Sequence, residues 1–135
     1  LKKYYSLLQI KDYLLMKRIS ERCKVKSAFF LYFYTTADNC SECERQGIVL
    51  TDLRDKYPEL RVYSFDYSTD LSAVKSMLQI YKIQDTKLPA LVVDDEVLTG
   101  FRSLEELESR IKESFKLQEN KSVDKTTLPN HNRNT

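Results

Sequence analysis

The spacing of apolar residues changes period several times along the chain, and each change predicts an element. Over residues 3–22, Tyr4, Leu7, Leu8, Leu14, Leu15 and Ile19 fall near one face of a 3.6-residue turn, with lysines between them and no Pro or Gly. That predicts a helix. Residues 27–35, Ser-Ala-Phe-Phe-Leu-Tyr-Phe-Tyr-Thr, form a continuous apolar and aromatic run. Such a run predicts a strand buried on both faces, in the middle of a sheet. A polar turn over 36–39 follows, with Asp38 or Asn39 as cap for a helix over about 40–56 that ends before Pro58. Residues 61–67 alternate in strand fashion. Thr69 or Asp70 then caps a helix over 71–81, with Leu71, Val74, Leu78 and Tyr81 as its inner stripe.

The second half reads as a hairpin and a last helix. Strands over 90–93 and 96–99 flank Asp94-Asp95, a two-residue turn signal. Gly100 interrupts, and Ser103 with Glu106 makes a capping box. The helix it opens runs to about residue 117, with Leu104, Leu107, Ile111 and Phe115 facing inward. Residues 119–135 are polar, with Pro129 and four asparagines, and read as a disordered tail. The domain is therefore expected over 1–118. Its order is αβαβαββα: an α/β chain with a mixed four-stranded sheet and helices on both faces. The first two strands, joined by a helix, are expected to be parallel with a right-handed crossover.

Composition narrows the class. The 135 residues suit one domain, and 41% hydrophobic with 31% charged is ordinary globular usage. Net charge is only +2, but residues 1–26 carry eight Lys/Arg against Asp12 and Glu21. No basic stripe continues into the body, so nucleic acid is not expected as a partner. The basic segment reads first as a solvated helix face and second as one that grazes an anionic membrane. The chain opens on Leu1 rather than Met. A membrane tether upstream, with the domain extracytoplasmic, is the expectation; a cytoplasmic protein is the alternative. A monomer is expected.

The chemistry centres on Cys40-Ser41-Glu42-Cys43. The pair follows a buried strand and opens a helix, where residues three apart point the same way. The unpaired N–H groups and positive dipole end of a helix favour thiolate. Cys40 is then expected to be the exposed attacking sulfur with the lower pKa, and Cys43 the resolving sulfur one turn inside. Against this stand a structural disulfide and a zinc site. Zinc needs four ligands, and only Cys23 and His131 remain to supply them, so no metal is expected. Cys23 reads as a small buried hydrophobe, Tyr32, Tyr34, Tyr63 and Tyr67 as packing, and Asp66 as a polar strand end.

The element order around this C-x-x-C resembles the thioredoxin superfamily over roughly residues 3–117. There, a C-x-x-C opens the helix after the first central strand, a cis-proline loop faces it, and Leu88-Pro89 and Gly100 match that family's pattern. The resemblance implies a cis Pro89. It also implies a substrate peptide held along the Leu88–Pro89 edge by main-chain hydrogen bonds. The departures are Asn39 for the family's Trp, Ser41-Glu42 for Gly-Pro, and Tyr34 for a buried acid. Tyr34, Asp38 and Glu42 are therefore accessory candidates. Asp38, Glu42 and Glu44 place negative charge that opposes thiolate formation. The implied activity is thiol–disulfide exchange with protein substrates and a redox partner, with no cofactor beyond the cysteine pair. The alternative is a peptide-binding module whose cysteines are structural.

Overall fold

The computed structural model describes residues 1–23 and 26–133, with side chains as far as Glu119. The elements in chain order are α1 (Lys2–Cys23), β1 (Ala28–Tyr34), α2 (Cys43–Lys56), β2 (Leu60–Asp66), α3 (Ser72–Ile80), a 3-10 turn (Asp85–Lys87), β3 (Ala90–Val93), β4 (Glu96–Thr99) and α4 (Leu104–Arg133). The sheet order is β2-β1-β3-β4. β1 runs parallel to β2 and antiparallel to β3, and β3–β4 is an antiparallel hairpin. Asp94 and Asp95 both take positive φ, 51° and 65°, as a two-residue hairpin turn of this hand requires.

The central strand explains the layering. Alternate residues of β1 enter two different cores. Phe30 and Tyr32 pack with Leu50 and Leu53 of α2 and Leu107 and Ile111 of α4. Leu31 and Phe33 pack with Phe65, Val74 and Ile83 on the other face. Each fully buried aliphatic or aromatic side chain contributes about 1.5–3 kcal/mol relative to exposure, and β1 draws on both cores. Phe33 stacks on Phe65 at 5.6 Å, which ties β1 to β2 beneath α3.

Several local expectations are corrected. α2 begins at Cys43, not Cys40: its N-cap is Glu42, with no side-chain cap bond. Asn39 is used instead in the preceding turn, where its N–H donates to Thr36 O at 3.0 Å. α3 is capped at Leu71 rather than Thr69 or Asp70. Asp70 pairs with Lys75 at 2.7 Å, and the buried Thr69 hydroxyl has no protein partner. The Ser103 cap is present: its Oγ accepts from Glu106 N–H at 3.2 Å. α4 continues to Arg133, beyond the end that its apolar stripe predicts. Apolar periodicity marks only the part of a helix that packs on a core, and that part closes with Phe115.

The largest departure is in α1. The apolar face read from the sequence is turned to solvent. The only fully buried residue of the helix is Ser6. Ile10 and Tyr13 lean on the second core, and Tyr13 meets Phe29 and Tyr63 edge-on at 5.9 and 5.5 Å. Polar bonds set the rotation of the helix. The Gln9 amide donates to Ser64 O at 2.9 Å and accepts from Ser64 N–H at 2.7 Å. Tyr63 OH donates to Asp12 at 2.7 Å, and Lys2 donates to Asp66 at 2.6 Å.

Candidate active site

Cys40 and Cys43 are joined in a disulfide with Cα atoms 5.5 Å apart. Cys43 is the first residue of α2, and Cys40 lies in the loop before it. Only one weak backbone contact, Cys43 N–H to Cys40 O at 3.4 Å, marks the turn between them. Both cysteines are 5% exposed, so the expectation of an exposed Cys40 beside a buried Cys43 does not describe this oxidised state. Cys43 is further fixed by Tyr32, whose hydroxyl donates to its carbonyl at 2.5 Å. Burial, then the neighbouring Tyr34, pushes the Tyr32 hydroxyl above the ordinary tyrosine range, so it stays a donor.

The sheet places the proline loop at the same end. Ala90 pairs with Phe33, so Pro89 enters the ladder level with Tyr34, where β1 hands the chain to the cysteine loop. The Leu88–Pro89 peptide bond is cis, and Pro89 O accepts from Gly100 N–H at 2.8 Å. Gly100 has φ 82°, a conformation that glycine adopts without strain.

Four residues not singled out from the sequence, Gln46, Arg102, Arg45 and Phe101, complete this end of the molecule. Gln46, fully buried one turn below Cys43, accepts from Arg102 N–H at 2.7 Å and donates to Arg102 O at 3.2 Å. It clamps the loop after Gly100 to α2. The Arg45 guanidinium stands over the Phe101 ring at 4.1 Å and donates to Glu42 at 3.1 Å. The signal for Gln46 was present in the chain. Cys43, Gln46, Leu50 and Leu53 form one buried helical stripe, and a polar residue in such a stripe needs a buried partner. Arg45 also offsets the negative charge expected of Glu42, which leaves Asp38 exposed and Glu44 in the first turn.

A groove of about 370 Å³ opens beside Cys43, lined among others by Tyr32, Tyr34, Glu44, Thr51 and Arg54. Tyr34, half-buried and stacked on Tyr32 at 5.4 Å, thus lines the same groove as Cys43. Cys23 is a free and exposed thiol, not the buried hydrophobe expected. Asp66 is taken up by Lys2 and by Ser68 N–H and Oγ, at 2.9 and 2.8 Å. Among the described residues no cluster of three or more His, Cys, Asp or Glu could hold a metal ion. His131 lies outside the described side chains.

No protein-family model and no curated protein matches the sequence. Solved structures do match. Oxidised thioredoxin O2 from Arabidopsis thaliana superposes with TM-score 0.52 at 18% identity, over 67% of this chain and 76% of that one. A structure addressing thiol resolution in yeast mitochondrial 1-Cys peroxiredoxin by glutathione and thioredoxin systems gives 0.51 at 20% identity, over 72% and 88%. The likeness is one of fold: a mixed four-stranded sheet flanked by four helices, thioredoxin-like, carrying a Cys40–Cys43 pair at disulfide distance.

Proposed function

We propose that this thioredoxin-like chain is a thiol–disulfide oxidoreductase that exchanges disulfides with protein substrates through Cys40 and Cys43. The observation that carries the proposal is the Cys40–Cys43 disulfide at the start of α2, at the sheet end that also holds the Leu88–Pro89 loop. In the reducing direction, the Cys40 thiolate attacks a substrate disulfide and one substrate sulfur leaves as a thiolate. Cys43 loses its proton and attacks Cys40 Sγ. The second substrate sulfur leaves, two electrons have passed to the substrate, and the Cys40–Cys43 bond has formed. The reverse sequence oxidises a dithiol. The groove beside Cys43 gives its proton a path to water, in place of the buried acid that Tyr34 replaces. The Leu88–Pro89 edge receives the substrate backbone.

An insulin-reduction assay driven by dithiothreitol tests the reading. Wild type is expected to accelerate precipitation, and Cys40→Ser to fall to the uncatalysed rate. Equal rates for the two proteins would sink the proposal. The burial of both sulfurs favours a second reading, in which the bond is structural and the fold binds peptides. A reduction potential below about −300 mV, with no thiol exchange at Cys40, is the signature of that alternative.

A further inference from the structure

Among the described residues, eleven large hydrophobic side chains are exposed, and eight of them lie within residues 1–19: Leu1, Tyr4, Tyr5, Leu7, Leu8, Leu14, Leu15 and Ile19. A surface helix of a water-soluble domain does the reverse, turning its apolar stripe inward. The inversion here is built in. Gln9, Asp12 and Lys2 are each bonded to β2, and Ile10 and Tyr13 fill the inner contact. These bonds fix the rotation of α1 with its leucines facing away from the body. So many large apolar side chains exposed on one helix face mark an interaction surface.

The charges on the face select the occupant. At helical spacing, Leu1, Leu8, Leu15 and Arg22 form one row, and Tyr4, Lys11 and Arg18 form the next. The middle of the face therefore carries only basic ionic groups. Asp12 is turned to Tyr63, and Glu21 lies at the border, in the row of Leu7 and Leu14. A second copy is a poor fit. The rows have heptad spacing, and pairing two such helices would bury Lys11 and Arg18 against their equivalents. At an anionic bilayer the same arrangement is favourable. The leucines and tyrosines enter the headgroup–acyl boundary, while Lys11, Arg18 and Arg22 extend along them to lipid phosphates. Among the described residues no helix is long and apolar enough to cross a membrane.

We infer that α1 is an interfacial helix that lays its Leu8–Leu15 face on an anionic lipid surface, with the Cys40–Cys43 domain held above it. This inference does not depend on the redox reading. The test is co-sedimentation of the full oxidised chain with phosphatidylcholine vesicles, with and without phosphatidylglycerol. The bound fraction is expected to rise roughly ten-fold with phosphatidylglycerol and to fall with added salt. Leu8→Glu/Leu15→Glu is expected to abolish binding, and Lys11→Gln/Arg18→Gln to remove the preference for anionic lipid. Both pairs of positions are exposed, so circular dichroism and melting temperature should match wild type. A chain that stays in the supernatant with both vesicles overturns the inference, as does equal binding to both. A dimer at sedimentation equilibrium that the leucine variant dissolves also overturns it, in favour of a second copy.

Discussion

Gln46 and Asp66 show how single buried polar groups hold this molecule. Gln46 satisfies both main-chain groups of Arg102, so Gln46→Leu would leave a donor and an acceptor unpaired. The expected cost is about 2 kcal/mol in urea unfolding of the oxidised protein, the penalty of stranded buried groups. A loss within error of zero would mean water replaces the amide. Asp66 carries a pH signature. Burial pushes its carboxyl up, but the hydrogen bonds from Lys2 and Ser68 outweigh that, and its pKa ends below the ordinary 3.8. A depressed folded-state pKa gives stability that is present above the unfolded value and lost as pH falls through the folded one. Asp66→Asn should therefore be less stable than wild type near neutral pH, by about 1 kcal/mol because Lys2 is solvated. The gap should close as pH drops below the ordinary carboxylate range. Urea melts across pH 2–7 (a range set by the carboxylate pKa) check this, and a pH-independent gap would contradict it. The buried stripe of α2 marked Gln46 as needing a partner, but neither its partner nor that of Asp66 was legible in the sequence. Hydrogen-bond partners 56 and 64 residues away leave no local signal.

At the scale of elements, α1 and the edge of β2 are one device. β2 is the terminal strand of the sheet and presents backbone groups on its free side. The Gln9 amide meets both groups of Ser64 there, as a neighbouring strand would. Gln9→Ala is expected to speed hydrogen exchange at the Ser64 amide and along α1, while Phe30 and Phe33 amides in β1 stay protected. Unchanged exchange at Ser64 would show that the contact does not shield the edge. The helix itself was readable from its period, but its orientation was not. Periodicity reports which residues share a face, and packing decides whether that face points in or out. β1, β3 and β4 were read to within a residue, because a strand buried on both faces and a two-residue Asp-Asp turn leave little freedom. α2 was misplaced by one turn at its start, because Asn39 is consumed by the preceding turn instead of serving as cap.

The whole domain rests on its two cores, not on its disulfide. A bond spanning residues 40 and 43 closes a very short loop, which the chain-entropy relation values at about 2 kcal/mol. Reduction by dithiothreitol should lower unfolding stability by about that amount and leave the far-ultraviolet spectrum intact. Loss of cooperative unfolding on reduction would instead favour a structural bond. The element order, the doubly buried β1, the Asp94–Asp95 hairpin and the Cys40–Cys43 spacing were determined by the sequence. Each follows from period, turn chemistry or a three-residue interval, all of them local properties of a chain. Only the tertiary structure decided the burial of both sulfurs, the Gln46–Arg102 clamp, the Gln9–Ser64 pairing and the outward leucines of α1. Those depend on which distant segments meet, and that is settled by the joint packing of two cores around β1.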